Sequence, residues 1–94
     1  MKLSDFKMLP KGKSGLLGNQ AILNFGTYTL SIIDDGYGRD QGLYEIGVFE
    51  NGELAELPGV TDPDDQVKGH LTESDVNAII MKMYAITRVQ PTQV

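Results

Sequence analysis

The dipeptide Asn51-Gly52 constrains the fold most, because it joins two segments whose residue patterns are typical of β-strands. A type I′ turn needs positive φ at both central residues, and Asn followed by Gly meets that need at little cost. The preceding segment, "LYEIGVFE", alternates Tyr44, Ile46 and Val48 with residues of the other face. The following segment, "ELAEL", predicts a short edge strand whose acidic charge discourages unwanted strand pairing.

A second strand-rich segment, "AILNFGTYTLSII", lies upstream and is dominated by β-branched and aromatic residues. In its second half, Tyr28, Leu30 and Ile32 alternate with small polar residues, which predicts a strand with one buried face. The chain from 20 to 33 forms either two strands joined by a turn at 24–26, which we favour, or one long bulged strand.

One helix is predicted near the C-terminus. Thr72 is its expected N-cap, and Asp75 has the spacing of a capping-box partner. Leu71 and Val76 flank the cap with hydrophobic-staple spacing. An apolar stripe of helical period follows: Val76, Ile79, Ile80, Met83 and Tyr84.

These elements predict the α+β class: an antiparallel β-meander of three to four strands with one C-terminal helix packed on one face. With 94 residues the chain is expected to form one small domain. We expect an irregular arm and loop over 1–19, the meander over 20–57, an acidic loop over 58–71, the helix over 72–87 and a tail over 88–94.

Composition narrows the function classes. The chain has no Cys, which excludes disulfides, zinc-thiolate sites and thiol nucleophiles. Its apolar runs are far shorter than the roughly 18 residues of a membrane span, and its start does not resemble a signal peptide. We therefore expect a cytoplasmic protein that does not contact membranes.

Charge is distributed very unevenly along the chain. Residues 34–75 contain twelve carboxylates against Arg39 and Lys68, a net charge of −10, whereas residues 1–33 carry +3 and residues 76–94 carry +2. A field of this sign repels nucleic acid and attracts basic surfaces. We expect a basic protein partner and no direct contact with nucleic acid, although acidic loops also serve solubility alone.

Two glycine-rich segments resemble phosphate-binding loops only in part. Gly12-Lys13-Ser14 matches the end of a Walker A motif, but Lys7 stands where its first glycine belongs. The segment "GYGRDQG" leads into a strand, whereas the dinucleotide fingerprint needs a helix whose N-terminus holds the pyrophosphate. Neither segment predicts a nucleotide cofactor.

Metal binding and catalysis are poorly supported as well. The carboxylates around Asp34 and Asp62 lie outside the helix–loop–helix context of a calcium loop. His70 is the sole histidine and lies just before the helix cap, where a surface or capping role is expected. We predict no metal site, no cofactor, no catalytic residue and no enzymatic activity.

The most promising surface is the turn "DDGYGRD". Tyr37 and Arg39 lie outside any amphipathic pattern, and both residue types are enriched at interaction hot spots. Asp34, Asp35 and Asp40 begin the acidic segment around them. We predict that these five residues contact a protein partner.

The order "TYTLSII…GYG…GLYEIGVFENGEL…DDQVKGHLTESDVNAII" resembles a group of small, uncharacterised phage-encoded proteins over about residues 27–80. The resemblance implies the cytoplasm of an infected bacterium, where small proteins bind and redirect host or defence machinery. It implies no activity and no functional residues. Two alternatives stay open: a sponge for nucleotides or other small molecules that uses the glycine loop and the N-terminal lysines, and a structural or virion accessory subunit.

Overall fold

Two tight turns build the centre of a β-sheet in the computed structural model, which describes residues 1–11 and 18–94. The first turn makes the segment 20–33 a hairpin, as favoured from the sequence. It lies at Gly26-Thr27 and not at the predicted 24–26, because Asn24 and Phe25 still pair with the following strand. The second turn is the predicted one, where Asn51 and Gly52 have φ of 52° and 85°. Positive φ at both residues is the geometry that Asn-Gly favours.

The described residues contain seven strands and one α-helix. The strands are β1 Leu9–Pro10, β2 Asn19–Phe25, β3 Tyr28–Ile33, β4 Tyr44–Glu50, β5 Glu53–Ala55, β6 Val67–Leu71 and β7 Thr92–Gln93. The helix, α1, spans Glu73–Thr87, and single 3-10 turns span Leu3–Asp5 and Arg39–Gln41. All the strand pairs are antiparallel, so the predicted α+β class is confirmed.

The sheet has a three-stranded centre, β2–β3–β4, with two short strands sharing each outer side. β1 and β7 both pair with β2, and β5 and β6 both pair with β4. Each pair of short strands covers the hydrogen-bonding edge of a long strand, which limits unwanted pairing with other chains.

The outer strands correct the sequence-based boundaries. The acidic loop predicted over 58–71 ends at Gln66, because Val67–Leu71 pairs with the part of β4 that the three-residue β5 leaves open. The arm predicted over 1–19 contains a 3-10 turn and β1, and the tail predicted over 88–94 contains β7. These short strands depend on a long neighbour for their hydrogen bonds.

The core lies between one sheet face and α1. Ala21, Leu23 and Phe25 of β2 point into it together with Leu30 and Ile32 of β3. The remaining buried apolar residues are Leu3, Ile46, Val48, Leu57, Val60, Leu71, Val76, Ile79, Ile80 and Met83. Tyr28, Tyr44 and Tyr84 pack against this core from its rim, as their positions in the apolar patterns predict.

The start of α1 follows its predicted cap. The Asp75 N–H donates to Thr72 Oγ1 over 3.1 Å, and the Thr72 N–H donates to Asp75 Oδ2 over 2.9 Å, which completes a capping box. These hydrogen bonds hold the pKa of Asp75 below its ordinary value. Leu71 and Val76 are both buried beside the cap, in the arrangement of a hydrophobic staple. The cap therefore fixes the start of α1 directly after the end of β6.

Candidate functional site

The connection from β3 to β4, residues 34–43, is built around two glycines in the left-handed region. Gly38 has a φ of 100° and Gly42 a φ of 71°, and they flank the 3-10 turn at Arg39–Gln41. Only glycine adopts this conformation without steric cost. The Gly38 carbonyl accepts hydrogen bonds from the N–H groups of Gln41 and Leu43, which closes the turn. The glycines therefore shape a turn, which agrees with the position of "GYGRDQG" before a strand and not before a helix.

β6 contains a bulge directly beside this connection. Tyr44 pairs with Leu71 and Ile46 pairs with Lys68, so Gly69 and His70 together face the single residue Glu45. His70 takes a φ of 56°, which is uncommon for a residue with a side chain. A bulge bends its strand and redirects the neighbouring side chains. It places the backbone of Gly69 and His70 against the loop.

Tyr37 lies on this bulge and is held by its backbone on both sides. Its N–H donates to Glu45 Oε2 over 2.7 Å, and its carbonyl accepts from the His70 N–H over 2.9 Å. A Cβ atom added at Gly69 would lie 2.5 Å from the Cβ of Tyr37, so only glycine fits beneath it. The loop and the bulge form one unit around Tyr37.

Tyr37 lies at the surface of this unit, and 68% of the residue is exposed. Tyrosine is one of the residue types enriched at the energetic centres of interfaces. Two shallow depressions meet at Tyr37. One is lined by the loop and the other by β6 with the preceding acidic loop; their linings include Arg39, His70, Asp62 and Asp65.

The five predicted contact residues fall into two groups. Tyr37, Arg39 and Asp40 lie on the surface, with the Arg39 and Asp40 side chains 67% and 95% exposed. Arg39 Nε and Asp40 Oδ1 are 3.9 Å apart, at the outer limit of an ion pair. These three side chains are accessible to a partner.

Asp34 and Asp35 instead make contacts within the protein. Asp34 accepts hydrogen bonds from the backbone N–H of Asn19 over 2.7 Å and from its side-chain amide over 2.9 Å. Asp35 Oδ1 is shielded from solvent and lies 2.7 Å from Lys11 Nζ. Both carboxylates bind the start of the loop to residues next to β1 and at the start of β2. The acidic composition of the segment does not indicate these contacts.

Several residues of the site were not predicted. Gly69 and Glu45 fix the Tyr37 backbone, and Asp62 and Asp65 line its second depression. Lys68 Nζ lies 3.5 Å from Asp62 Oδ1, within this second group. For Asp62 and Asp65 the only sequence signal is the acidic composition of 58–66. The other residues have no such signal, because the proximity of β6 to the loop depends on strand pairing.

Among the described residues, no group of three or more His, Cys, Asp or Glu side chains is arranged to hold a metal ion. The Gly12-Lys13-Ser14 motif lies outside the described residues, and Lys11 beside it is paired with Asp35. No helix in residues 1–11 and 18–94 is long and apolar enough to cross a membrane.

The fold and the site thus define an open antiparallel sheet, covered by a helix on one face, that presents an exposed tyrosine from a loop packed on a bulge. Comparison of the chain with models of protein families, with curated proteins and with solved structures found no match.

Proposed function

We propose that this chain is a non-enzymatic binding protein, and that Tyr37 and the carboxylates around it contact a basic protein partner. The observation that carries the proposal is the exposed Tyr37 side chain on a backbone hydrogen-bonded at both its N–H and its carbonyl. We define the contact surface as Tyr37, Arg39, Asp40, Asp62, Asp65 and His70.

The Tyr37 backbone is already ordered by its hydrogen bonds, so binding loses less conformational entropy at this residue. A tyrosine has two side-chain torsions, so it brings a large contact area with little further ordering. Tyr and Arg are, with Trp, the residue types enriched at the energetic centres of interfaces, and Arg39 lies two residues from Tyr37. A preorganised aromatic residue beside an arginine is therefore a suitable anchor.

The surrounding charge supports a basic partner. Arg39 and Asp40 border one depression beside Tyr37. Asp62, Asp65 and Lys68 border the other, so the charged residues of the two linings together carry a net charge of −1. The segment 34–75 carries a net charge of −10, and such a field accelerates the encounter with a positively charged surface. Rim charges of this kind act on the association rate and on specificity more than on affinity.

The resemblance to phage-encoded proteins directs the proposal to the cytoplasm of an infected bacterium. The partner would then be a basic host or defence protein, such as a nucleic-acid-handling enzyme whose cationic surface the acidic face covers. The chain would act by occupying that surface, without chemistry of its own.

A capture experiment with matched charge variants tests the proposal. The immobilised chain is exposed to bacterial lysate at low and at raised salt, and retained proteins are identified by mass spectrometry. One variant combines Asp40→Lys with Asp65→Lys, and a second carries Tyr37→Ala. The control combines Glu50→Lys with Glu53→Lys, which changes the net charge equally at the other end of β4, about 20 Å from the loop.

We expect one or a few basic proteins to be retained by the wild type and by the control, and to be lost with either site variant. Raised salt should reduce their retention, because exposed charges are screened over about 10 Å or less. Equal retention by all variants would disprove the proposal. Equal loss in the control would show unspecific charge attraction and would also overturn it.

A further inference from the structure

β5 and β6 follow one another along the same edge of β4. Ala55, the last residue of β5, pairs with Val48, and Val67, the first residue of β6, pairs with the adjacent residue of β4, Gly47. Both strands run antiparallel to β4, so residues 56–66 leave the sheet and return to it at the neighbouring position. We call β5 followed by β6 the composite edge strand.

The outward-facing backbone groups of the composite edge strand follow from the turn at Asn51-Gly52. Glu50 and Glu53 flank this two-residue turn and therefore form a hydrogen-bonded pair. Because the direction of N–H and C=O alternates from one residue to the next along a strand, Ala55 and Lys68 also direct these groups toward β4. The residues that direct their N–H and C=O away from β4 are Leu54, Val67 and Gly69.

Little of this outer edge is hydrogen-bonded within the described part of the chain. The Leu54 carbonyl accepts a hydrogen bond from the exposed Gln66 side-chain amide, and its length of 3.5 Å is at the outer limit for such a bond. Val67 makes no hydrogen bond to any described residue outside the β4–β6 ladder. The edge closes where the His70 N–H donates to the Tyr37 carbonyl. An unpaired sheet edge of this kind is a template for another strand.

Apolar side chains follow this edge on the sheet face that points away from α1. A Cβ atom added at Gly47 on that face would lie 3.4 Å from Leu54 Cδ1 and 3.6 Å from Val67 Cγ1. Gly69, two residues after Val67, has the same orientation, and Tyr37 packs on it. An added strand would place every second side chain beside Leu54, Val67 and Tyr37, where apolar residues fit best.

The other face beside this edge is acidic. The segment 56–66 leaves the composite edge strand on the helix side, where two of its apolar residues are buried in the core. It contains four carboxylates and no basic residue. Asp62 and Asp65 line the depression beside Val67, and Lys68 is the one lysine of that lining. The remaining side chains of an added strand would therefore lie beside an excess of negative charge, where basic residues fit best.

We propose that the composite edge strand binds an extended segment of a partner protein by antiparallel strand addition, and that apolar and basic residues alternate in this segment. The proposal rests on the proposed function for the existence of a basic partner and adds how that partner is held. The antiparallel orientation is favoured because every strand pair of the sheet is antiparallel. In strand addition the main-chain hydrogen bonds give affinity, and the alternate side chains give specificity.

The open edge is long enough for such a segment. Successive outward-facing residues lie about 6.8 Å apart, so a segment of about five residues reaches from Leu54 to Gly69. The Gln66 amide would give up its long hydrogen bond to the Leu54 carbonyl in exchange for a peptide N–H. Tyr37 would cover the end of the added strand that lies beside Gly69.

A peptide with blocked N–H groups tests strand addition directly. The probe is a fluorescently labelled nine-residue peptide in which Lys and Val alternate, and its binding to the full chain is measured by fluorescence anisotropy. One form is N-methylated at three valines and a second form at three lysines. In antiparallel addition the valines lie opposite Leu54 and Val67 and donate their N–H groups to this edge, whereas the lysine N–H groups point to solvent.

A matched pair of protein variants tests the same edge from the other side. Val67→Pro removes an outward N–H that does not belong to the ladder with β4, and proline is tolerated at edge positions of this kind. The control, Val67→Ala, retains the N–H. Thermal unfolding checks that both variants fold, and the comparison of the two methylated peptides on the wild type needs neither variant.

We expect the wild type to bind the unmodified and the lysine-methylated peptides within a few-fold of each other. The valine-methylated peptide should bind about tenfold more weakly or worse, because several hydrogen bonds are lost together. Val67→Pro should weaken binding of the unmodified peptide more than Val67→Ala does. Replacing the lysines of the peptide by glutamate should abolish its binding.

The proposal is overturned if the unmodified peptide does not bind at millimolar concentration, or if the two methylated forms bind equally. Selective loss with the lysine-methylated form indicates parallel pairing and overturns it as well, as does equal binding of the glutamate peptide. The lysate capture separates this result from the proposed function. If a partner is captured and lost with Tyr37→Ala while methylation at valine has no effect, strand addition alone is wrong.

Discussion

Tyr37 lies directly over Gly69, so closely that a methyl group at Gly69 would be 2.5 Å from the Tyr37 Cβ and 3.0 Å from its carbonyl oxygen. The His70 N–H, one residue further, donates to that same carbonyl over 2.9 Å. The position of the exposed tyrosine is therefore set by a glycine on another strand. A loop residue and a bulge residue form one structural unit.

Gly69→Ala should displace the loop and impair binding. Gly69 does not have a positive φ, so alanine is compatible with the backbone and the effect arises from the clash with Tyr37. We expect a loss of about 1–3 kcal/mol in the free energy of unfolding, as for other overpacked sites. Urea unfolding measures the stability, and partner capture measures the function.

The matched control for that change is Gly47→Ala on β4. A Cβ atom there would meet its nearest neighbour, Leu54 Cδ1, at 3.4 Å, which is close to ordinary contact. Gly47→Ala should therefore destabilise the protein less than Gly69→Ala and leave capture unchanged. If Gly69→Ala leaves both stability and capture intact, the loop does not depend on its packing against the bulge.

Tyr37→Ala should separate binding from stability. Because its side chain is 68% exposed and its backbone hydrogen bonds are retained by alanine, we expect the free energy of unfolding to change by no more than about 0.5 kcal/mol. Affinity for a captured partner should fall by about 2 kcal/mol or more, as for an interface hot spot. Urea unfolding and titration calorimetry measure the two quantities, and a large loss of stability with unchanged affinity would contradict the assignment.

The sequence alone predicts those features whose signals are local. The Asn51-Gly52 turn, the Thr72–Asp75 cap and the buried faces of β3, β4 and α1 all follow from residues close together in the chain. β6 has no such signal, because "VKGHL" lacks regular alternation and forms a strand only beside the open part of β4. Its pairing is a tertiary effect that local patterns do not contain.

The same distinction applies to the site. Tyr37 and Arg39 could be identified because they depart from the amphipathic pattern, and both are exposed. Asp34 looked equivalent to Asp40 in the sequence, yet its partner Asn19 is 15 residues away and comes close only through the β2–β3 hairpin. A run of like charges cannot show which members have internal partners.

Asp34→Ala and Asp40→Ala should therefore differ in their effect on stability. The Asp34 change removes the acceptor for the Asn19 backbone N–H and side-chain amide in a partly buried position. We expect a loss of about 1–3 kcal/mol, the cost of an unsatisfied group of this kind. Asp40 is 95% exposed, and its change should stay within about 0.5 kcal/mol. Equal effects of the two changes on urea unfolding would contradict the internal role of Asp34.

The capping box should make stability depend on pH in the acidic range. The Thr72 backbone N–H, followed by the Thr72 side chain, lowers the pKa of Asp75 below its ordinary value of 3.8. A carboxyl whose pKa is lower in the folded state stabilises the fold above the unfolded-state pKa, and this contribution is lost as pH falls through the folded-state pKa.

Asp75→Asn should therefore reduce the melting temperature relative to wild type at neutral pH, and the difference should shrink as the pH falls below 3.8. Thermal unfolding of both proteins across this range measures the effect, with Glu73→Gln as the control in the same helical turn. A difference between Asp75→Asn and wild type that stays constant with pH would mean that the ionised carboxylate does not contribute through the cap.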